Sequence, residues 1–168
     1  LGSPHRGVDG LPEFKNTSAL VKIFDNNAWK LAYTKYMQGH LSLAEMWNDP
    51  MKNNDYLKKD IFMPIINNEV EHPLKETFKQ NFMNLNKVVF FKSTKEDVVF
   101  PSASCWMDYY APGTKFIIPY SDTTYYQNDV LGIRSLEEKG QIFYPEVHCS
   151  HTEYRTDPQV FELICKYL

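Results

Sequence analysis

Two apolar runs constrain the fold of this 168-residue chain more strongly than any other feature. Residues 87–93 are KVVFFKS and residues 141–147 are QIFYPEV, and both are dominated by β-branched and aromatic side chains. Continuous apolar runs of this length are typical of strands that are buried on both faces of a parallel sheet. We therefore expect both runs to be strands of one sheet with helices packed on its faces.

The segments next to these runs carry helical signals. Residues 73–85 place apolar side chains at helical spacing, and Pro73 suits the first turn of a helix. Near the end of the chain, Asp157 and Pro158 suit the N-cap and the first position of a final helix. The alternation of strands with helices predicts an α/β fold with a doubly wound sheet.

The region ahead of the first strand is predicted to be mainly helical. Residues 17–48 have helical periodicity with a break near Gly39. The apolar stretch 60–67 contains Pro64, which disfavours a central strand, so we expect a loop or an edge strand there.

Composition excludes some classes of function. The net charge is −3 and charged residues make up 23% of the chain, so an electrostatic nucleic-acid binder is not expected. No apolar run approaches the length of a transmembrane segment. The aromatic share of 15% indicates a substantial hydrophobic core.

Polar side chains follow both predicted strands. Glu96 and Asp97 come shortly after the first, and His148 and His151 come shortly after the second. In doubly wound sheets, functional groups lie on the loops beyond the carboxyl ends of the strands. A carboxylate can orient a His that takes the proton of a poor hydroxyl nucleophile. The order acid, then His, is that of the α/β-hydrolase triad, and it predicts an acid–base pair here.

The segment 146–151, EVHCSH, has two other interpretations. His148, Cys149 and His151 could belong to a zinc site, but structural zinc needs four ligands, and no second Cys/His pair supplies the rest. The three Cys of the chain form no CxxC motif and indicate no disulfide framework. We therefore predict no metal and no cofactor, and an ordinary surface loop remains the alternative to a catalytic base.

Several motifs follow one another in order along nearly the whole chain. They are GVDGLP near the start, AEMWNDP, KQNFMNLNKVV, an acidic loop followed by VV-x-P and a Trp, and TTYYQNDVLGIRSLEEKGQIFY. In this order they resemble the C-terminal half of the lysosomal palmitoyl-protein thioesterases. The resemblance implies an α/β-hydrolase that cleaves palmitate or similar acyl chains from cysteine thioesters of proteins. It also implies the lysosome or secretory pathway, and the glycosylation sequon at Asn16 is compatible with that location.

The resemblance assigns the base. In the family, the catalytic His follows the last strand, shortly before the C-terminal helix, and His151 best matches that position. The family tends to have Gly-Asp before this His, whereas Ser150 precedes it here. Because of this difference, His148 remains a second candidate for the base.

The resemblance also assigns the acid. The family's acid lies in the loop after the KVVFFKS-type strand, five residues before a Pro, and counting back from Pro101 gives Glu96. The family usually has Asp at this position, and Asp97 is the neighbouring residue. Since Glu also serves in α/β-hydrolases, Glu96 is the predicted acid and Asp97 its rival.

A nucleophile elbow, G-x-S-x-G, is absent from this sequence. The resemblance implies that the Ser nucleophile lies in an N-terminal half upstream of GVDGLP. We therefore expect residues 1–168 to be the C-terminal portion of a single α/β-hydrolase domain, with a partial sheet. Its partners would be the missing N-terminal half, S-acylated proteins or peptides, and fatty acyl thioesters. Residues 17–66 would be a helical insertion that forms part of an acyl groove.

The function expected from these observations is hydrolysis of fatty acyl groups from protein cysteines through a Ser-His-Asp/Glu triad. The fragment alone is expected to be inactive because the nucleophile is not in it. The alternatives are a non-catalytic, thioesterase-like lipid-binding protein and a general lipid esterase. Substitution of the upstream Ser would favour the binding protein, and equal rates on thioesters and oxyesters would favour the esterase.

Overall fold

The computed structural model describes residues 1–10 and 28–168. Its helices are α1 (Ala28–Ala32), α2 (Lys35–Gln38), α3 (Ser42–Glu45), α4 (Asn53–Lys59), α5 (Met63–Ile66), α6 (Lys75–Met83), α7 (Thr124–Gln127), α8 (Ile133–Glu138) and α9 (Pro158–Tyr167). Its strands are β1 (Val88–Val89), β2 (Lys92–Ser93), β3 (Tyr109–Tyr110), β4 (Ile117–Ile118), β5 (Ile142–Phe143) and β6 (Glu146–Val147). Short 3₁₀ helices cover Pro50–Lys52, Ser102–Trp106, Tyr120–Asp122 and His151–Arg155.

The two apolar runs pair with each other in parallel. β1 pairs with β5 and β2 pairs with β6, so residues 88–93 run beside residues 142–147 in a constant register. The backbone N–H groups of residues 88, 90, 92 and 94 donate to the carbonyls of residues 141, 143, 145 and 147. This even spacing is the hydrogen-bond pattern of a parallel ladder. A separate antiparallel hairpin joins β3 and β4.

The ladder is interrupted at Pro145, which has no N–H to donate. The carbonyl of Phe90, which would accept that missing bond, accepts the indole N–H of Trp106 at 2.9 Å instead. The rings of Phe90 and Tyr144 stack across the break, with centroids 5.6 Å apart. A side-chain donor therefore satisfies the carbonyl that proline leaves without a strand partner.

Successive residues of the first run face opposite sides of the strand pair. Phe90 packs in one apolar cluster with Ile133 and Leu136 of α8, and Phe91 packs in another with Val160 of α9. This alternation follows from the period of two in a strand. Both faces of the run are covered, which agrees with the continuous apolar sequence.

The N-terminal segment joins the strand pair to the helical region. The Gly2 N–H donates to the Phe91 carbonyl at 3.2 Å, so the segment runs along the edge of β1 and β2 opposite β5 and β6. Further along, Val8 forms a parallel bridge with Trp47, which is buried in the core of the helical region with Tyr33 and Tyr56.

Several predicted elements are present. α6 lies within the predicted range 73–85, and Leu74 and Leu85, which flank it, are exposed. α9 begins at Pro158, and the Asp157 side chain accepts the N–H groups of its first turn. No helix among the described residues has the length and apolar character needed to cross a membrane.

The prediction of a loop or edge strand at 60–67 is wrong. Met63–Ile66 is a short helix, with Pro64 in its first turn, where its missing N–H costs nothing. Asp60 Oδ1 accepts the N–H groups of Phe62 and Met63 at 2.8 and 3.0 Å and so satisfies donors at the helix start.

The predicted insertion 17–66 is only partly described. Residues 17–27, and Asn16 with its sequon, lie outside the described residues. From residue 28 to residue 48 the chain forms short helices, which turn at Gly39 near the predicted break. The role of 17–66 as a groove-forming insertion stays a prediction.

Candidate active site

The acid loop, residues 94–99, follows β2 and holds Glu96 at its centre. The Glu96 side chain is completely buried. Its Oε1 accepts the backbone N–H groups of Val98 and Val99, each at 3.1 Å. These bonds hold the carboxylate in one orientation, because charge-assisted bonds to backbone donors are strong and directional.

The base loop, residues 148–155, follows β6 and turns into the 3₁₀ helix that starts at His151. Ser150 is the N-cap, and its N–H donates to Glu153 Oε2 at 2.7 Å in a capping box. The backbone N–H and the hydroxyl of Ser150 lower the pKa of Glu153. The capping box thereby fixes the backbone on both sides of His151.

The two loops meet through His151. Its Nδ1 lies 2.7 Å from Glu96 Oε1, and its backbone N–H donates to Asp97 Oδ1 at 3.0 Å. Glu96 therefore contacts the imidazole ring, whereas Asp97 contacts the backbone of the same residue. With the Nδ1 proton directed to the carboxylate, the lone pair on Nε2 is the basic site of the ring. The His151 side chain is 31% exposed, so a reacting group can approach it.

Tyr154 covers the buried side of the pair. Its ring meets the His151 ring edge-on, with centroids 5.8 Å apart at 85°. Burial and the nearby Glu96 carboxylate raise the pKa of Tyr154, so its hydroxyl keeps its proton beside the acid. Gly2 lies against this ring with φ of +55°, and a Cβ at Gly2 would be 2.6 Å from Tyr154 Cε2. Only glycine fits there without displacing the ring.

His148 and Cys149 are placed differently. His148 is exposed, and the contact that its Nδ1 makes is with the Thr94 hydroxyl. Cys149 is buried among the apolar side chains beneath the loops, and burial raises the pKa of its thiol. Within residues 1–10 and 28–168, no group of three or more His, Cys, Asp or Glu side chains is arranged to hold a metal ion.

A cavity of about 330 Å³ opens beside His151. Leu43 and Met46 from the helical region, Val98 and Val99 from the acid loop, and Val8 contribute apolar walls. The helical region and the acid loop therefore share one apolar space beside His151. An apolar space of this kind can hold a hydrocarbon chain.

The chain matches the family model described as palmitoyl protein thioesterase over residues 1–151. The chain belongs to the palmitoyl protein thioesterase family. This confirms the resemblance found in the sequence. Family membership implies an α/β-hydrolase fold, and the small sheets and flanking helices are compatible with part of that fold.

Similar proteins of this family come from distant organisms. The chain is 34% identical over 152 residues to palmitoyl-protein thioesterase 3 of Dictyostelium discoideum, covering 90% of the chain and 50% of that protein. It is 30% identical over 172 residues to palmitoyl-protein thioesterase 1 of Caenorhabditis elegans, covering 99% and 56%. It is 33% identical over 174 residues to the lysosomal thioesterase PPT2 homolog of Drosophila melanogaster, covering 100% and 58%. The chain thus spans about half the length of the curated relatives that it matches.

Tyr154 and Ser93 belong to the candidate site, and so does the capping box beside His151, but none of them was predicted from the sequence. Tyr154 carries no signal of its own in the sequence. The signal for Ser93 is its position: it is a polar residue at the end of an apolar run that is predicted to be a buried strand. The capping box of Ser150 and Glu153 was readable from its S-x-x-E spacing.

Proposed function

We propose that this chain is the C-terminal part of a thioesterase that removes fatty acyl groups from cysteine thioesters of proteins. His151 is the general base and Glu96 the acid that orients it. The observation that carries the proposal is the 2.7 Å contact between His151 Nδ1 and Glu96 Oε1 in a chain of the palmitoyl protein thioesterase family. Asp97 holds the backbone of His151 rather than its ring.

The chemistry requires a Ser nucleophile from a part of the full protein that this sequence does not contain. His151 Nε2 takes the Ser proton as the Ser oxygen attacks the thioester carbonyl. The imidazolium, stabilised by Glu96, then protonates the departing cysteine sulfur, and an acyl-enzyme remains. Water, deprotonated by the same nitrogen, attacks the acyl-enzyme, and the imidazolium then returns this proton to the departing Ser oxygen, which releases the fatty acid and the free Ser.

The apolar cavity beside His151 supports a hydrocarbon substrate. Leu43, Met46 and Val98 are among the side chains that line it. Each methylene that leaves water contributes roughly 0.8 kcal/mol to binding. A long acyl chain therefore binds through this surface, and the thioester carbon lies near the imidazole. By analogy with relatives such as the lysosomal thioesterase PPT2 of Bos taurus, the location of the full protein would be the lysosome or the secretory pathway.

Thioester hydrolysis by the full-length protein tests this proposal. The substrate is a peptide with a palmitoylated cysteine, and its oxyester analogue on serine is measured in parallel. We expect His151→Ala to lower kcat by about 10⁴-fold or more, as loss of a triad base does. The matched variant His148→Ala, which removes an exposed ring, changes kcat by less than about tenfold.

Three results would contradict the assignment. Wild-type activity in His151→Ala would show that His151 is not the general base. Equal rates on thioester and oxyester would indicate a general lipid esterase. Tight binding of palmitoyl peptide by a wild-type protein that does not hydrolyse it would indicate a lipid-binding protein.

A further inference from the structure

The Ser93 hydroxyl lies where the acid loop and the base loop separate. Ser93 is the last residue of β2, and its side chain is 1% exposed. The last backbone bond of the ladder is the one from the Thr94 N–H to the Val147 carbonyl, at 3.0 Å. Beyond it, no backbone–backbone hydrogen bond joins residues 95–99 to residues 148–155 in the part of the chain that the structure describes.

The hydroxyl replaces the next two bonds of the ladder. The regular pattern pairs N–H groups 88, 90, 92 and 94 with carbonyls 141, 143, 145 and 147, so the next donor to the Cys149 carbonyl would be residue 96. Ser93 Oγ donates to that carbonyl instead. It also accepts the Cys149 N–H at 3.1 Å, which a regular ladder would give to the Thr94 carbonyl.

The same oxygen turns the acid loop away from the sheet. The Lys95 N–H donates to Ser93 Oγ at 3.0 Å, which is the local turn that a Ser hydroxyl makes with the residue two positions ahead. The Val147 carbonyl also lies 3.3 Å from this oxygen, but a hydroxyl has one proton to donate and two acceptor sites, so the two bonds with Cys149 and the one with Lys95 use its full capacity. Two of them end on Cys149, two residues before His151, and one ends on Lys95, one residue before Glu96.

From these contacts we infer that Ser93 is a positioning residue that sets the separation of the Glu96 carboxylate and the His151 imidazole. This inference rests on the proposed function. Apart from the contact between Glu96 and His151 itself, the other polar links between the loops, from Thr94 to His148 and from Asp97 to the His151 backbone, lie at the surface, where water competes for them. Ser93 is buried, so water does not compete for its hydrogen bonds. It does not touch substrate or the reacting atoms.

The experiment compares Ser93→Ala with Ser93→Thr in the full-length protein. The control is Ser121→Ala, which removes an exposed hydroxyl whose contact is with Asp122. Active enzyme is counted by labelling of the nucleophile with a fluorophosphonate, and the labelling rate reports how well the base activates it. Ser93→Ala should lower kcat and the labelling rate by on the order of 10²-fold, the typical effect of a small misplacement of reacting groups, while KM changes little.

Ser93→Thr retains the hydroxyl and should keep kcat within about threefold of the wild type. Should Ser93→Ala not fold, Ser93→Cys decides, because a thiol keeps the volume but is a weak hydrogen-bond donor and acceptor. Wild-type kcat in a folded Ser93→Ala or Ser93→Cys variant would overturn the inference. An equal loss in Ser93→Thr would also overturn it.

These outcomes are separate from failure of the proposed function. If the wild type does not hydrolyse the thioester, or His151→Ala is fully active, the hydrolase assignment fails first. If His151→Ala is inactive while folded Ser93→Ala is fully active, only the role of Ser93 fails.

Discussion

The two ends of the parallel strand pair are held together by different forces. At the end that precedes Pro145, Phe90 and Ile142 lie in an apolar cluster with Leu136. This end is stabilised by burial of apolar side chains and by stacking of the Phe90 and Tyr144 rings. At the other end Phe91 and Val147 also lie in an apolar cluster, and beyond it the two strands are linked through a hydroxyl, two carboxylates and an imidazole. Burial is non-directional and tolerates small shifts, whereas hydrogen bonds fix distances and angles. The apolar end therefore stabilises the fold, and the polar end sets the geometry of the site.

Among the changes that compare the two ends, Glu96→Gln at the polar end has the largest expected effect. The amide keeps an oxygen for the Val98 and Val99 N–H groups but loses the charge that stabilises the imidazolium. We expect kcat of the full-length protein to fall on the order of 10³- to 10⁴-fold, as in other triads whose acid becomes an amide. The melting temperature should change little.

Asp97→Asn is the matched change. It keeps an oxygen for the His151 N–H and should lower kcat by less than about tenfold, because the ring contact is intact. Equal losses in Asp97→Asn and Glu96→Gln would show that the two carboxylates share the role of the acid.

Leu136→Ala tests the apolar end. Leu136 is fully buried in the cluster around Phe90, so the truncation leaves a cavity. We expect it to lower the free energy of unfolding by about 2–5 kcal/mol in urea titrations of the full-length protein. The kcat of the folded fraction should stay within a few-fold of the wild type. Phe161→Ala, at a side chain that is 69% exposed, should change stability by less than about 0.5 kcal/mol. A loss of kcat in the folded fraction of Leu136→Ala that is larger than a few-fold would show that the apolar end also sets the geometry of the site.

Trp106→Phe tests the boundary between the two ends and should have a smaller effect than Leu136→Ala. It removes the indole N–H that the Phe90 carbonyl accepts in place of the N–H that Pro145 lacks. Leaving this carbonyl without a partner should cost about 1–3 kcal/mol of unfolding free energy. A change of less than about 0.5 kcal/mol in the free energy of unfolding, measured in the same urea titrations, would show that the indole hydrogen bond does not stabilise the strand pair where Pro145 interrupts the ladder.

Patterns in the sequence predicted the elements that depend on burial. The two apolar runs pair in parallel, and the final helix begins after Asp157, because periodicity and cap residues are local signals. The helix Met63–Ile66 was not predicted, because Pro64 was interpreted as a residue that disfavours a strand. Proline also suits the first turn of a helix, and that is its place here, after an Asp.

The site was predictable only in part. Position after a strand and the family resemblance indicated His151 as the base and Glu96 as the acid, with Asp97 as its rival, but gave no contact that separates the two carboxylates. In the structure the Ser93 hydroxyl forms a turn with the Lys95 N–H, and the Glu96 side chain that follows this turn is buried. Such a turn is a property of the folded backbone and has no periodic signature.

The pairing of Glu96 with His151 is tested most directly by the Nδ1 proton of His151 in proton NMR spectra of the full-length protein. A proton held between imidazole and carboxylate gives a strongly downfield resonance. The account predicts that this resonance is present in the wild type, is lost in Glu96→Gln and is retained in Asp97→Asn. Retention in Glu96→Gln together with loss in Asp97→Asn would contradict it.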